Sequence, residues 1–217
     1  MRFENRREAG RMLAAKLSHY QGRDDIIVLA LPRGGVPVAY EIATRLRAPL
    51  DVFLVRKLGV PGREELAMGA IATGGTRVLN SDIIRALNIS EATIDAVTAA
   101  EQRELVRREQ AYRGNRPYPD VKDHVVILVD DGLATGASMR AAVQAVRGQQ
   151  PARIVVAVPV AAPDTYSDFE REVDEIVCVM TPYPFLGVGG WYLDFSQTSD
   201  QEVCDLLAQA FKSIPPP

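Results

Sequence analysis

The chain has 217 residues, 47% hydrophobic and 24% charged, with a formal net charge of −3. That length and composition suit one domain with a full core, and the charge gives no general electrostatic reason to bind DNA or an anionic membrane. Cys178, Cys204, His19 and His124 show no metal-ligand spacing, and neither a signal peptide nor a long apolar span is visible, so a cytoplasmic protein is expected.

In chain order, "FENRREAGRMLAAKLSHY" places Ala9, Met12, Leu13 and Leu17 at helical spacing and predicts a leading amphipathic helix. "DDIIVLALP" reads as a buried strand, "VPVAYEIATRLR" as a helix with Pro37 in its first turn, and "DVFLVRKL" as a second strand, together a βαβ unit. Residues 59–69, with three glycines, a proline and charges, predict a long exposed loop. "AIATGGTRVLN" predicts a hairpin turning at Gly74-Gly75. Residues 80–113 read as helical and polar, with Ser81 and Ser90 as N-caps and a solvated charged face at 101–109. "HVVILVDDG" is the third strong strand, "ASMRAAVQAVRGQ" the helix after it. "RIVVAVPV" and "DEIVCVM" add two strands around the short helix "PDTYSDFERE", with Cys178 a small core residue. "SDQEVCDLLAQAFKS" closes the chain as a helix stopped by Pro215 to Pro217. Alternating strands and helices predict an α/β fold with a parallel sheet covered on both faces, in a single domain over 1–217.

The stretch "VVILVDDGLATGAS" pushes two adjacent carboxylates, Asp130 and Asp131, out of an apolar strand and then opens a turn of small residues. In an open parallel sheet, ligands bind beyond the carboxyl ends of the strands. Sugar hydroxyls donating to the pair would offset its self-repulsion, and a divalent cation nearby would help further. The turn leads into a helix whose first N–H groups lack partners, so small side chains there let a phosphate approach. A sugar phosphate satisfies both halves.

This stretch closely resembles the phosphoribosyl-diphosphate (PRPP) signature of type I phosphoribosyltransferases. The resemblance implies that Asp130 and Asp131 hold the ribose hydroxyls and reach a metal indirectly, through PRPP or water, while Ala134, Thr135, Gly136, Ala137 and Ser138 cradle the 5-phosphate. "LALPRGGVPVA" looks like the family's diphosphate loop. There Gly34 and Gly35 bring backbone N–H groups to phosphate oxygens, Arg33 adds charge, and a cis peptide would fall between Pro32 and Arg33. Arg56 and Lys57 are expected to end a strand facing the same crevice, where they would neutralise diphosphate with Arg33, ahead of a closing loop at 59–69. Arg33 and Lys57 are the candidate catalytic residues.

"YPFLGVGGWYLDFSQTSD" is similar to the family's hood, the variable segment over the base, here 181–200. The candidates to contact a base are Phe185, Val188, Trp191 and Asp194; for the stacking ring Phe185, Trp191 and Tyr192 stay open. Residues 80–118 form a helical insertion that common members lack, and "RELVRREQAYRGNR" within it leaves an RNA or protein contact open.

The implied fold is the parallel-sheet core of that family with a C-terminal hood. The implied reaction transfers ribose 5-phosphate from PRPP to a nitrogen nucleophile, with Mg²⁺ and release of diphosphate. The alternative is a regulator that senses PRPP without turnover. A small-molecule acceptor is the expected partner, and a homodimer is compatible with the resemblance. In 6-oxopurine enzymes of the family an aspartate stands at the position of Ala134, so "DDGLATGAS" is closer to the adenine-type motif, whereas "VGGWYLDF" is closer to the purine-type hood.

Overall fold

The computed structural model describes residues 1–213; the expected stop at Pro215 to Pro217 lies outside them. Helix α1 (Arg6–Lys16) begins where the Asn5 side chain accepts from the backbone N–H groups of Arg7 and Glu8, both at 3.0 Å. Then come strand β1 (Ile26–Ala30), helix α2 (Gly35–Leu46) with Pro37 in its first turn, and strand β2 (Leu50–Val52). All five residues of β1 are buried.

The expected single strand over "DVFLVRKL" is two. After β2 the chain leaves the parallel sheet and enters β3 (Val55–Val60) of a separate antiparallel sheet. Phe53 still donates to the carbonyl of Ala30 at 2.8 Å, while the carbonyl of Leu54 accepts from the N–H of Thr73 at 2.9 Å. Both side chains are buried, so the apolar run continues through the change of partner and conceals it.

The expected loop at 59–69 is also a correction. Strand β4 (Arg63–Ala72) pairs antiparallel with β3 across a turn at Pro61 and Gly62, where Gly62 has φ 76°. Leu58, Val60, Met68 and Ile71 are buried beneath this ribbon. Its glycines mark close backbone approach: a methyl on Gly69 would lie 2.4 Å from the Val78 carbonyl oxygen. Strand β5 (Arg77–Leu79) completes the three-stranded sheet after the expected turn at Gly74 and Gly75, both with positive φ.

Helix α3 (Ser81–Ala86) is capped by Asn80, whose side chain accepts from Asp82 and Ile83, so Ser81 is its first residue and not its cap. Helix α4 (Glu91–Arg113) is capped by Ser90 as expected, and it buries Ile94, Leu105 and Tyr112. The arginines of its last turns are largely occupied: Arg107 and Arg108 both bond Glu104, and Arg113 pairs with the half-buried Asp51 at 3.0 Å; Arg116, just beyond the helix, donates to two carbonyls.

The chain then returns to the parallel sheet through β6 (Val125–Val129), α5 (Ala137–Arg147), β7 (Arg153–Val160), α6 (Pro163–Glu172) and β8 (Glu175–Met180), and ends in α7 (Asp200–Ser213). The strand order is β2-β1-β6-β7-β8, with β1 beside β6 and all pairs parallel. Alternate residues of β1 serve opposite layers: Ile26, Val28 and Ala30 pack with Leu13, Ile42 and Leu206 of α1, α2 and α7, and Ile27 and Leu29 with Met139 and Phe169 of α5 and α6. Burial on both faces is why these strands are continuous apolar runs.

Candidate active site

Asp130 and Asp131 follow β6 directly, at the carboxyl end of the sheet beside the end of β1. The Asp131 N–H donates to Asp130 Oδ1 at 2.8 Å, which fixes the pair in one arrangement. Burial raises both carboxyls above the ordinary range; the charge of Asp131 raises Asp130 further, whereas a hydrogen bond from Arg6 opposes the rise at Asp131. That bond, Arg6 Nε to Asp131 Oδ2 at 2.8 Å, joins residues 125 apart in sequence. Tyr192 Oη donates to the Asp131 carbonyl at 2.6 Å.

The loop after β1 lies against this pair. Leu31 N–H donates to the Val129 carbonyl at 2.8 Å, and the Pro32–Arg33 peptide is cis, as the resemblance implied. A methyl on Gly34 would stand 2.0 Å from Asp131 Oδ2, and one on Gly35 would stand 2.7 Å from the Val129 carbonyl oxygen. Both glycines are therefore demanded by the approach of the two loops to each other. The Arg33 guanidinium lies 3.7 Å from Asp200 Oδ1, and Asp200 in turn accepts from Tyr112 of α4 at 2.6 Å.

Residues 134–138 form the turn into α5. Two side chains tie its carbonyls back: Thr165 Oγ1 donates to the Ala134 carbonyl at 2.6 Å, and Arg140 Nη1 to that of Thr135 at 2.8 Å. Arg140 is held by Glu172 at 2.9 Å and Asp168 at 3.1 Å. Gly136 has φ 73°, and a methyl there would lie 2.7 Å from the Phe169 ring, so conformation and space both require glycine. Ala134, Thr135, Ala137 and Ser138 are exposed, and the first amides of α5 have no preceding turn to accept from them. A small-residue turn at a helix N-terminus has the donors and the space to receive an anion.

Arg56 and Lys57 do not end a strand of the parallel sheet; they lie near the start of β3. Arg56 is turned to Glu101 of α4 at 2.6 Å, and both residues line a groove with Gly59, Pro61, Val97 and Glu101. The change of sheet at Phe53 is what carries them there.

The hood segment contains a 3₁₀ turn, Val188–Trp191. Val188 presses on the strand-end loop, since a methyl on Gly132 would meet its Cγ1 at 2.6 Å. Phe185 and Trp191 are half-buried and pack against the small cluster of Phe3, Val160 and Tyr192. Tyr192 is buried and committed to the Asp131 carbonyl, which leaves Phe185 and Trp191 as the open choices for a stacking ring. Asp194 is exposed, and its carboxylate accepts from Ser196 N–H at 2.9 Å, a bond that lowers its pKa. The segment at Phe3 meets the hood through a single parallel bridge: Phe3 N–H donates to the Trp191 carbonyl at 2.9 Å, and Leu193 N–H to that of Phe3 at 2.8 Å.

Arg6, Thr165 and Arg140 were not legible as site residues, because no local motif contains them and their partners are distant in sequence; Phe195 and Asp200 fall within the quoted hood stretch, but only the fold shows that they face Arg6 and Arg33. Among the described residues, no group of three or more His, Cys, Asp or Glu could hold a metal ion, and no helix is long and apolar enough to cross a membrane.

Residues 3–182 match the family model described as a phosphoribosyl transferase domain. The chain is 45% identical, over 98% of its length, to proteins of two Mycobacterium tuberculosis strains whose names assign them provisionally as phosphoribosyl transferases. It spans 48%, about half, of the length of these curated relatives. It is also 32% identical over 132 residues to the bifunctional protein PyrR of Pediococcus pentosaceus, covering 60% of this chain and 70% of that one. A solved structure from Thermus thermophilus is 43% identical and superposes with a TM-score of 0.86, covering 96% of this chain and 99% of that one.

Proposed function

The chain belongs to the phosphoribosyl transferase family, and from that premise we propose that it transfers the ribose 5-phosphate of PRPP to a nitrogen nucleophile, a nucleobase, with release of diphosphate. The observation that carries this reading is the contact between two loops: Gly34 and Gly35 pack directly on Asp130 and Asp131 at the shared end of β1 and β6. A loop suited to diphosphate and a pair suited to ribose hydroxyls thus adjoin, with a phosphate cradle one turn further along the same chain.

Each part has a role in this reading. The carboxylates accept hydrogen bonds from the ribose hydroxyls, and Thr135, Gly136, Ala137 and Ser138 receive the 5-phosphate through backbone and hydroxyl donors. The Gly34-Gly35 loop and Arg33 receive the diphosphate, and Arg33 would exchange its long contact with Asp200 for phosphate oxygens. Displacement at ribose C1 passes through an oxocarbenium-like state, as in glycoside cleavage, so positioning and exclusion of water dominate the catalysis. Lys57 closes over the diphosphate when the β3–β4 ribbon moves toward the site.

Mg²⁺ is held by few protein ligands and several waters and phosphate oxygens. The adjacent carboxylates of Asp130 and Asp131 at the end of β6 would hold it indirectly, through PRPP or water. When bound, it would neutralise the leaving diphosphate.

Sensing of PRPP without turnover is the second reading. The observation favouring it is that the segment expected to close as a lid is a paired ribbon tied to α4 through Arg56 and Glu101. Incubation with PRPP, Mg²⁺ and a panel of nucleobases separates the two. Diphosphate release dependent on one base supports transfer. Saturable PRPP binding with no release under any base supports sensing, and absence of PRPP binding refutes both.

A further inference from the structure

We infer that Arg6 is a positioning residue of the transfer, joining the hood, the ribose carboxylate and the diphosphate loop through one guanidinium. The inference rests on the function proposed above. Arg6 is the first residue of α1, and the N-cap at Asn5 fixes its direction. Its Nε donates to Asp131 Oδ2 at 2.8 Å and its Nη1 to the Ser196 carbonyl at 2.7 Å. The guanidinium carbon stands 3.9 Å from the centre of the Phe195 ring, and the side chain is 11% exposed. A methyl on Gly34 would come within 3.2 Å of Nε, so the diphosphate loop reaches the same point.

Three parts of the site that are remote in sequence therefore meet at this group. Its chemistry suits the task. A planar fork can donate in two directions while its face stacks on an aromatic ring, which an ammonium cannot do. By taking Oδ2 of Asp131, Arg6 orients the carboxylate and leaves Oδ1 to the ribose. By holding Ser196 and Phe195, it keeps the hood at a set distance from that ribose. The backbone pairing of Phe3 and Glu4 with 191–194 holds the same segments in register.

The test uses the full chain and PRPP with Mg²⁺ as the probe, read by calorimetry, with thermal unfolding as the control for folding. Arg6→Met should weaken PRPP binding by roughly ten- to a hundredfold, the loss of a charged hydrogen bond to a buried carboxylate. Arg6→Lys should restore only a minor part, because charge returns without the fork. Phe195→Leu alone should weaken binding severalfold, and should add nothing on the Arg6→Met background if it acts through Arg6. In steady-state transfer Arg6→Met should lower kcat as well as raise the KM for PRPP, since base and ribose lose their register. A folded Arg6→Met with unchanged PRPP affinity overturns the inference, as do full rescue by lysine or losses at Arg6 and Phe195 that simply multiply. If the wild-type chain does not bind PRPP, the proposed function fails, and this inference with it.

Discussion

Gly34→Ala isolates the packing between the two loops of the site. Gly34 has φ −60° and ψ −32°, which alanine adopts without strain, so any effect is steric. The added methyl would lie 2.0 Å from Asp131 Oδ2 and 2.7 Å from its Cγ, far inside van der Waals contact. Either the loop shifts, at the ~1–3 kcal/mol typical of overpacking, or Asp131 swings away and its pair with Arg6 breaks. The side chains of that pair are 11% and 15% exposed, and separating such a buried pair costs about 3–5 kcal/mol. The cheaper route sets the cost, so the expected destabilisation is about 1–3 kcal/mol, a sizeable part of a typical domain's stability. Urea unfolding followed by fluorescence of Trp191, the chain's one tryptophan, measures it. Gly190→Ala is the control: a methyl there meets no atom within 4 Å, and a change within about 0.5 kcal/mol is expected. A Gly34→Ala protein that unfolds at the wild-type urea concentration and binds PRPP as well as wild type would refute the reasoning.

Asp130→Asn should raise the thermal stability of the ligand-free protein at neutral pH while weakening PRPP binding by roughly tenfold or more. Burial and the charge of Asp131 raise the Asp130 carboxyl well above its ordinary range. The folded chain therefore binds that proton more tightly than the unfolded one, and stability is lost as pH rises through the raised value. Asparagine removes this cost and keeps an Oδ1 for the Asp131 N–H, so a variant less stable than wild type at neutral pH contradicts the argument. Glu101→Gln breaks the tie of the ribbon to α4, a pair 30% and 27% exposed, and should cost only about 0.5–1 kcal/mol globally. Proteolysis within 59–69 should nonetheless accelerate, and PRPP, Mg²⁺ and a base analogue together should slow it; cleavage indifferent to both argues against a closing ribbon. Hypoxanthine and guanine should be poor acceptors, because Ala134 offers no partner to a ring nitrogen and an unsatisfied polar atom costs about 1–3 kcal/mol. Efficient formation of inosine or guanosine monophosphate would exclude this.

Residues 125–138 show how far local pattern reaches. A buried strand, an acidic pair and a small-residue turn are each dictated within a few residues, so periodicity and side-chain size expose them, and the structure places them together at the end of β6. The same holds for the cap at Ser90 and the turn at Gly74-Gly75. Where two backbones approach, the signal becomes ambiguous: Gly59 and Gly69 look like loop residues, yet they are required by the carbonyls of the facing strands in the ribbon.

What the sequence determined by itself is the parallel α/β core and the strand ends that carry the candidate ligand groups, because alternating apolar runs and helix periods are local consequences of burial. Only the tertiary structure decided that Phe53 and Leu54 pass the chain from one sheet to another, that Arg56 turns to Glu101, and that Arg6 closes on Asp131. Each depends on which of several chemically equivalent partners lies within reach. Many carboxylates in this chain could accept from an arginine, and spatial proximity, set by the packing of α1 on α2 and by the pairing of Phe3 with the hood, selects the one that does.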